Sequence, residues 1–392
     1  MRRRSVSGTS NTFLNRRDVA RGAVFGGAAL LFAGAARADA VPERGLLQGR
    51  ELGAVGDGKT DDTLALQKAL DLAAETSSAV FLAPGVYLTG ELHVRPGIAL
   101  VGVPAWNYGG PGGTVLRLAK GESKCLLNLT EARGATIEGL ALDGGGLGQN
   151  VHGVFTDRTK WGEHEDGFRI EGCQIARFTG DGARLMCVWC FSVRHSMLAY
   201  NHGDGLNLRG WDGFLLDNWF SGNGRAGFAA RRENASVTFT ANRIEWNHEE
   251  NMLVTGGDGY QITGNFFDRA GTCGLALRKS RVPCTQMTVT GNFFKRSGKL
   301  ADGASEESAQ IVLDGARGVT CVGNNLQAGR DDGNKGVYGP AYGIVYTGLQ
   351  DCVISNNVLY DGALRKLLFD QGGHGDGVVV KDNPGRLMAA KG

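Results

Sequence analysis

The chain has 392 residues, enough for a large core in one or two domains, and 63 of them are Gly against only 8 Pro. No Gly-X-Y period runs through it, which excludes collagen; high Gly with ordinary apolar content implies many tight turns between short strands. The 42 basic residues nearly cancel the 40 acidic ones, which argues against nucleic acid as the main partner while leaving room for a local basic patch.

The N-terminus reads as an export signal. Arg16 and Arg17 precede an apolar run from Gly22 to Ala36, and Ala36-Arg37-Ala38 and Ala38-Asp39-Ala40 offer small-residue cleavage sites. The run is too short to span a bilayer comfortably, and the twin arginine points to a Tat-like route. Residues 1–40 are set aside as the signal. Residues 41–392 are read as one domain, periplasmic or secreted, with no stable membrane insertion after cleavage: about 50–134 as N-terminal cap and first coils, about 135–385 as repeat coils.

The stretch Gly53 to Thr63 is turn-rich and ends at a helix start, with Thr60 or Asp61 as the cap. Leu64, Leu66, Ala69, Leu70, Leu72 and Ala73 supply an apolar face at helical spacing, and the helix ends near Glu75. Val80 to Leu88 reads as strand, tight turn, strand. A helix followed only by strand patterns is a cap on the end of an all-β body. The glycines here lack the Gly-Lys-Ser/Thr ending of a phosphate loop.

From about Ala135 the chain repeats. Asn218, Asn242, Asn265, Asn292, Asn324 and Asn356 recur in similar surroundings, with His195 and Gly172 holding the same place upstream. A period near 23 residues with insertions marks a solenoid. Each unit carries short β-branched or aromatic runs that alternate at period two, such as Ser236–Thr240 and Tyr260–Thr263. The fold class is therefore all-β, a single-stranded right-handed parallel β-helix with an N-terminal capping α-helix. Stacked Asn side chains hydrogen-bond along such turns, so these asparagines and a second set, Asn201, Asn223 and Asn247, are structural. The eight cysteines sit mostly in apolar runs as small buried hydrophobes; Cys187 and Cys190 lack the second pair a zinc site needs, and Cys273 and Cys284 could bridge a loop.

Leu52 to Ala69, followed by Ala83-Pro-Gly-Val-Tyr-Leu-Thr-Gly90, resembles the opening of the pectate lyase-like superfamily. That group includes polygalacturonases, rhamnogalacturonases, epimerases and phage tailspike depolymerases. The resemblance implies a carbohydrate polymer as partner and leaves the reaction open. The paired aspartates and Gly-His-Gly of polygalacturonases do not occur in their usual order; Gly373-His374-Gly375 stands near the C-terminus without an aspartate pair upstream.

Aligning the strand after the Asn201-type turn puts Ala183, Leu206, Phe228, Met252 and Leu275 in one inward column. Asp181, Asp204 and Glu250 share an outward one. Asp204 and Glu250 stand two coils apart, near 10 Å at the backbone, and side-chain tilt could bring them to the separation of an inverting glycosidase, about 6.5–9.5 Å. They are the catalytic candidates together with Asp181, although Asp-Gly also simply makes a good turn. Arg184, Arg209, Arg231 and Arg278 line the same face and suit the carboxylates of a uronic-acid polymer, or else salt bridges to the acidic column. Asn207, His202, His248 and Trp246 complete the substrate-binding set, and Trp219 reads as core. No metal site is assigned; the resemblance implies calcium as a candidate cation, through Asp181, Asp204 and Glu250, because some relatives bind it through carboxylates. The insertion from Gly144 to Glu165 is expected to wall the site, and the insertions Lys299 to Glu307 and Arg330 to Tyr342 lengthen later coils. The leading expectation is a secreted glycoside hydrolase acting through a carboxylate pair. A uronate lyase or epimerase is the alternative, or a glycan-binding envelope β-helix.

Overall fold

In the computed structural model, which describes residues 45–104, 112–301 and 305–389, each full coil of the repeat supplies three short strands. One coil runs Gln261–Thr263, Phe266–Asp268 and Leu275–Arg278. The first and third kinds of strand join a 22-stranded sheet, and the second kind forms an 11-stranded sheet. Pairing is parallel throughout, apart from an antiparallel ribbon of Gly329–Asp331 with Lys335–Gly339. This is the stacking of a right-handed parallel β-helix. The export-signal reading lies outside the described residues. Among those residues no helix is long and apolar enough to cross a membrane.

Parallel stacking in register puts like residues over like. Ala183, Leu206, Phe228, Met252 and Leu275 pair in succession, all with no exposed surface, as the alternation implies. A second stack runs through Leu198, Phe220, Ile244, Phe267 and Phe294. A coil of three short strands buries little by itself; the continuous inner columns supply the apolar burial that offsets its ordering entropy.

Between the first and second strands the chain turns through one left-handed residue. Asp217, Ala241, Gly264 and Gly291 take φ of 58°, 58°, 64° and 67°, and the next residue is the ladder asparagine. Asn218, Asn242, Asn265, Asn292, Asn324, Asn357 and Asn383 each donate, from Nδ2 and backbone N–H, to the Oδ1 of the next or stand last in line. Three sequence assignments move by one residue here. His195, Gly172 and Asn356 are the left-handed turn residues, with φ of 48°, 61° and 55°. The ladder positions are Ser196, Cys173 and Asn357. The second ladder, Asn201, Asn223 and Asn247, is as expected and ends on Asn251.

The capping helix spans Thr63–Thr76 and buries Leu66, Ala69, Leu70 and Ala73 against the first coils. Leu64 instead points to solvent, 85% exposed. The residue before the helix is Asp62, whose carboxylate accepts from the N–H groups of Val55 and Gly56 rather than from the first turn. Asp61 accepts from Thr63 N. All eight cysteines are free, so Cys273 and Cys284 are not bridged; seven are buried and Cys190 is half-buried.

Candidate functional site

The outer face of the long sheet carries the columns expected from the alignment. Backbone pairing runs from Asp181 through Asp204, Ala226 and Glu250 to Cys273, so the three acids do share a column, with an alanine coil between the last two. Beside it Met186 pairs with Arg209, and Thr255, Arg278, Asp314 and Thr347 pair in succession, with Arg231 just past the strand Phe228–Ala230 on the coil between.

Asp181 and Asp204 are not poised for chemistry on a substrate. Asp204 has no exposed surface. Its Oδ1 accepts from Ala226 N at 3.0 Å and Arg231 Nη2 at 3.1 Å, and its Oδ2 from Asn207 Nδ2 at 3.1 Å and from Arg231 Nη1. Asp181 repeats the device one coil earlier: Oδ1 accepts from Asp204 N at 2.9 Å, and Oδ2 faces Arg184 and Asn207 at 3.4 Å. Burial, and next the Asp204 charge, raise the Asp181 carboxyl above its ordinary value. Buried His152 sits behind it, its Nδ1 accepting from Asp181 N; burial first, then the Arg184 charge, hold that imidazole down to about 4. Both aspartates tie one coil's backbone to the next, so the sequence pairing of Asp204 with Glu250 for catalysis fails: every Asp204 oxygen is already used. Asn207, expected to bind substrate, is largely spent bridging the two aspartates.

The calcium reading fails for the same reason. Among the described residues, Glu250 converges not with Asp181 and Asp204 but with other groups: a Glu250 oxygen, Cys273 Sγ and a Glu307 oxygen lie within 4.8 Å of one another. A thiol is a soft donor and a poor match for calcium, which takes oxygen ligands.

The arginines do line up, and a groove opens over them. Its main chamber holds about 660 Å³ and is lined by Arg209, Arg231, Arg232 and Arg281 against a single carboxylate, Glu233. A side chamber of about 140 Å³ brings in Arg184 and Asn207, and a further one of about 120 Å³ brings in Arg278, Glu306 and Glu307. Each of the four arginines read from sequence has an acidic partner: Arg184 with Asp181, Arg209 with Glu233 at 2.6 Å, Arg231 with Asp204 and Glu249, Arg278 with Glu307 at 2.6 Å. Arg232 and Arg281, exposed in the same chamber, have no ion pair among the described residues. The first insertion reaches the groove at Arg209: Trp161 stacks on Trp211 at 3.9 Å between ring centroids, with the Arg209 guanidinium 5.7 Å from the Trp161 ring.

Trp246, His202 and His248 do not join this groove. The two histidines share an exposed turn column, separated by Gly224. Trp246 and His248 line a separate pocket of about 120 Å³, where Arg269 and Lys299 sit over the indole at 4.4 and 4.0 Å. The physical cause is the left-handed turn at Trp246, φ 61°, which separates it from the segment that leads through Glu250 into the strand Met252–Thr255. Trp219 is not core either. It stands on the outer face of the 11-stranded sheet and donates from Nε1 to Glu245 at 2.9 Å, while its neighbour Phe220 faces in.

Glu250 alone of the catalytic candidates keeps an uncommitted carboxylate. It is half-buried and has no side-chain hydrogen bond or ion pair to another described residue. Burial raises its pKa above the ordinary value, Glu249 and Glu307 adding to the effect and Arg278 opposing it. Sequence reasoning missed Glu307, Arg281 and the weight of Arg232. The available signals were the Arg231-Arg232 doublet, the extra residues after Arg278, and Glu307 at the end of an insertion.

Residues 49–108 match the family model for rhamnogalacturonase A/epimerase, pectate lyase-like, and residues 161–294 and 232–388 match that for the right-handed beta helix region. Similar solved structures include the A-module of a mannuronan C-5 epimerase from Azotobacter vinelandii (18% identity, TM-score 0.57, 87% of this chain and 99% of that one). A DFA-IIIase from Arthrobacter chlorophenolicus A6 without its lid is similar too (14%, 0.60, 88% and 100%). So is a surface adhesin of Streptococcus pneumoniae (13%, 0.59, 88% and 92%). These likenesses speak to the fold. A glucan 1,3-beta-glucosidase of Cochliobolus carbonum is 44% identical over 57 residues, which span 14% of this chain and only 7% of that protein.

Proposed function

The chain belongs to the right-handed β-helix family, and from that premise we propose that it is a carbohydrate-active enzyme that grips an anionic polysaccharide in the arginine groove and cleaves it. One observation carries the reading: a chamber of about 660 Å³ presents four guanidiniums against one carboxylate, two of the four without an acidic partner among the described residues. A planar guanidinium matches a carboxylate or sulfate in bidentate fashion, so a row of them favours a polymer with an anion on successive sugars. The similar structures include an epimerase and an adhesin as well as a DFA-IIIase. The fold therefore does not choose the reaction, and the groove chemistry must. Half-buried Glu250, whose carboxyl burial raises above its ordinary value, supports hydrolysis, which needs a general acid. The first forty residues support action outside the cytoplasm.

The test is incubation of the mature chain with neutral and anionic polysaccharides, following reducing ends together with the ultraviolet absorbance of an unsaturated uronate. Reducing ends without absorbance support the hydrolase. Both rising together replace it with elimination. A neutral glucan cut faster than any polyuronate or sulfated polymer refutes the reading of the groove.

A further inference from the structure

The groove reading, on which this inference rests, leaves open which groups break the chain. The geometry points to Glu250 and Glu307 as a retaining pair, Glu250 the acid and Glu307 the nucleophile, with Arg278 positioning Glu307.

Four observations meet at this place. A carboxylate oxygen of Glu250 lies within 4.8 Å of one of Glu307; retaining glycosidases place their two carboxyl groups about 5–5.5 Å apart, inverting ones about 6.5–9.5 Å. The two environments differ. Glu250 is half-buried with no side-chain partner, whereas Glu307 Oε2 accepts from Arg278 Nη2 at 2.6 Å, which fixes that carboxylate in place. Cys273, fully buried and with no hydrogen bond from its thiol to another described residue, sits within the same 4.8 Å and offers neither acid an ion pair. Arg278 and Glu307 also line a separate chamber of about 120 Å³, and Arg278 pairs with Thr255, which lines the arginine chamber. A polymer laid along that face from the arginines would reach Glu307, and with it Glu250 within 4.8 Å.

The steps balance with water as the only co-reactant. Glu250 passes its proton to the glycosidic oxygen as the bond from that oxygen to the anomeric carbon breaks. A Glu307 oxygen bonds to the same carbon from the opposite side, forming a glycosyl ester. Water then adds to that carbon, Glu250 takes a proton from the water, and Glu307 leaves as a carboxylate. Two displacements at one carbon retain its configuration. Glu250 lies two residues before the strand Met252–Thr255 and Glu307 two residues before Ala309–Asp314, so the pair is drawn from two different coils.

The experiment starts from whichever of polygalacturonate, alginate, hyaluronan and dextran sulfate binds the wild-type chain by calorimetry. Wild type, Glu250→Gln and Glu307→Gln are compared for binding, turnover and the configuration of the first-formed product by NMR. Unchanged binding in each variant serves as the check that it has folded. We expect retention, a loss of about 10²–10⁴ in kcat for Glu250→Gln, a loss at least as large for Glu307→Gln, and azide restoring turnover to Glu307→Ala as a glycosyl azide of inverted configuration. An inverted product, or a Glu307→Gln variant with wild-type turnover, overturns the pair and leaves the groove reading standing. A polymer bound but uncut by the wild type does the same. Failure of every anionic polymer to bind overturns the groove reading and the pair with it.

Discussion

Replacing Arg231 by Met keeps the aliphatic stem over the sheet and removes the guanidinium that faces Asp204. Asp204 has no exposed surface, and its carboxylate would be left with the Ala226 N–H and the Asn207 amide, with Arg225 Nη1 at 4.0 Å. Breaking a buried pair by removing one partner costs about 3–5 kcal/mol, because the surviving charge stays out of water. The two remaining donors put Arg231→Met at the lower end, about 3 kcal/mol. Adding Asp204→Asn removes the stranded charge and should recover roughly half of the loss, a coupling that a double-mutant cycle isolates. The measurement is equilibrium unfolding in urea at neutral pH, with unchanged m-values as the check that only stability moved. If Arg231→Met costs less than about 1 kcal/mol, the range of an exposed ion pair, the assignment of Asp204 to the scaffold is wrong. Asp204→Asn abolishing turnover with stability untouched would return that residue to the chemistry.

Arg232→Ala with Arg281→Ala should leave stability within about 0.5 kcal/mol, as for surface changes away from structural contacts. The same double change should weaken polygalacturonate binding by at least about tenfold, read by calorimetry, since each charge-assisted hydrogen bond contributes about 1.5–3 kcal/mol. Asn265→Ala strands the Asn242 N–H, leaves Asn242 Nδ2 with only the Leu215 carbonyl and frees the Phe239 carbonyl; at about 1–3 kcal/mol per unsatisfied buried group it should cost roughly 3–5 kcal/mol, against about 1 for Asn383→Ala at the half-buried ladder end. Comparable losses at the two sites in urea titrations would deny the ladder its role. His152 is held from its ordinary 6.5 down to about 4, chiefly by burial. The unfolded chain therefore binds the proton first, and this contribution is whole above pH 6.5 and lost as pH falls towards 4, about 3 kcal/mol in all. His152→Gln should flatten the fall in stability across that window; an unaltered slope places the acid sensitivity elsewhere. Turnover should decline on the alkaline side as Glu250 loses its proton, at a pH above the ordinary carboxylate range because burial raises its pKa.

Much of the fold was legible because a parallel solenoid repeats one local rule. Period-two alternation named the inner column from Ala183 to Leu275, and recurring asparagines named the ladders. The misplacement of His195, Gly172 and Asn356 by one residue has a local cause. The turn uses a left-handed residue and a hydrogen-bonding residue side by side, and a lone sequence does not say which of two adjacent turn formers donates. Trp246 and Trp219 were misread because the direction of a large aromatic at a turn or strand edge depends on backbone φ and on the coil above, not on residue type.

Stacking by itself determined that Asp181, Asp204, Glu250 and the arginines would share one face, because in-register strands carry their spacing straight into space. Only the tertiary structure decided which of them are spent. Hydrogen-bond saturation is a property of neighbours on other coils, and it removed Asp204 from the chemistry while leaving Glu250 free. The same holds for Glu307 and Arg281, which sit in insertions outside the period. Where an insertion lies down is set by what it packs against, and no repeat in the chain encodes that.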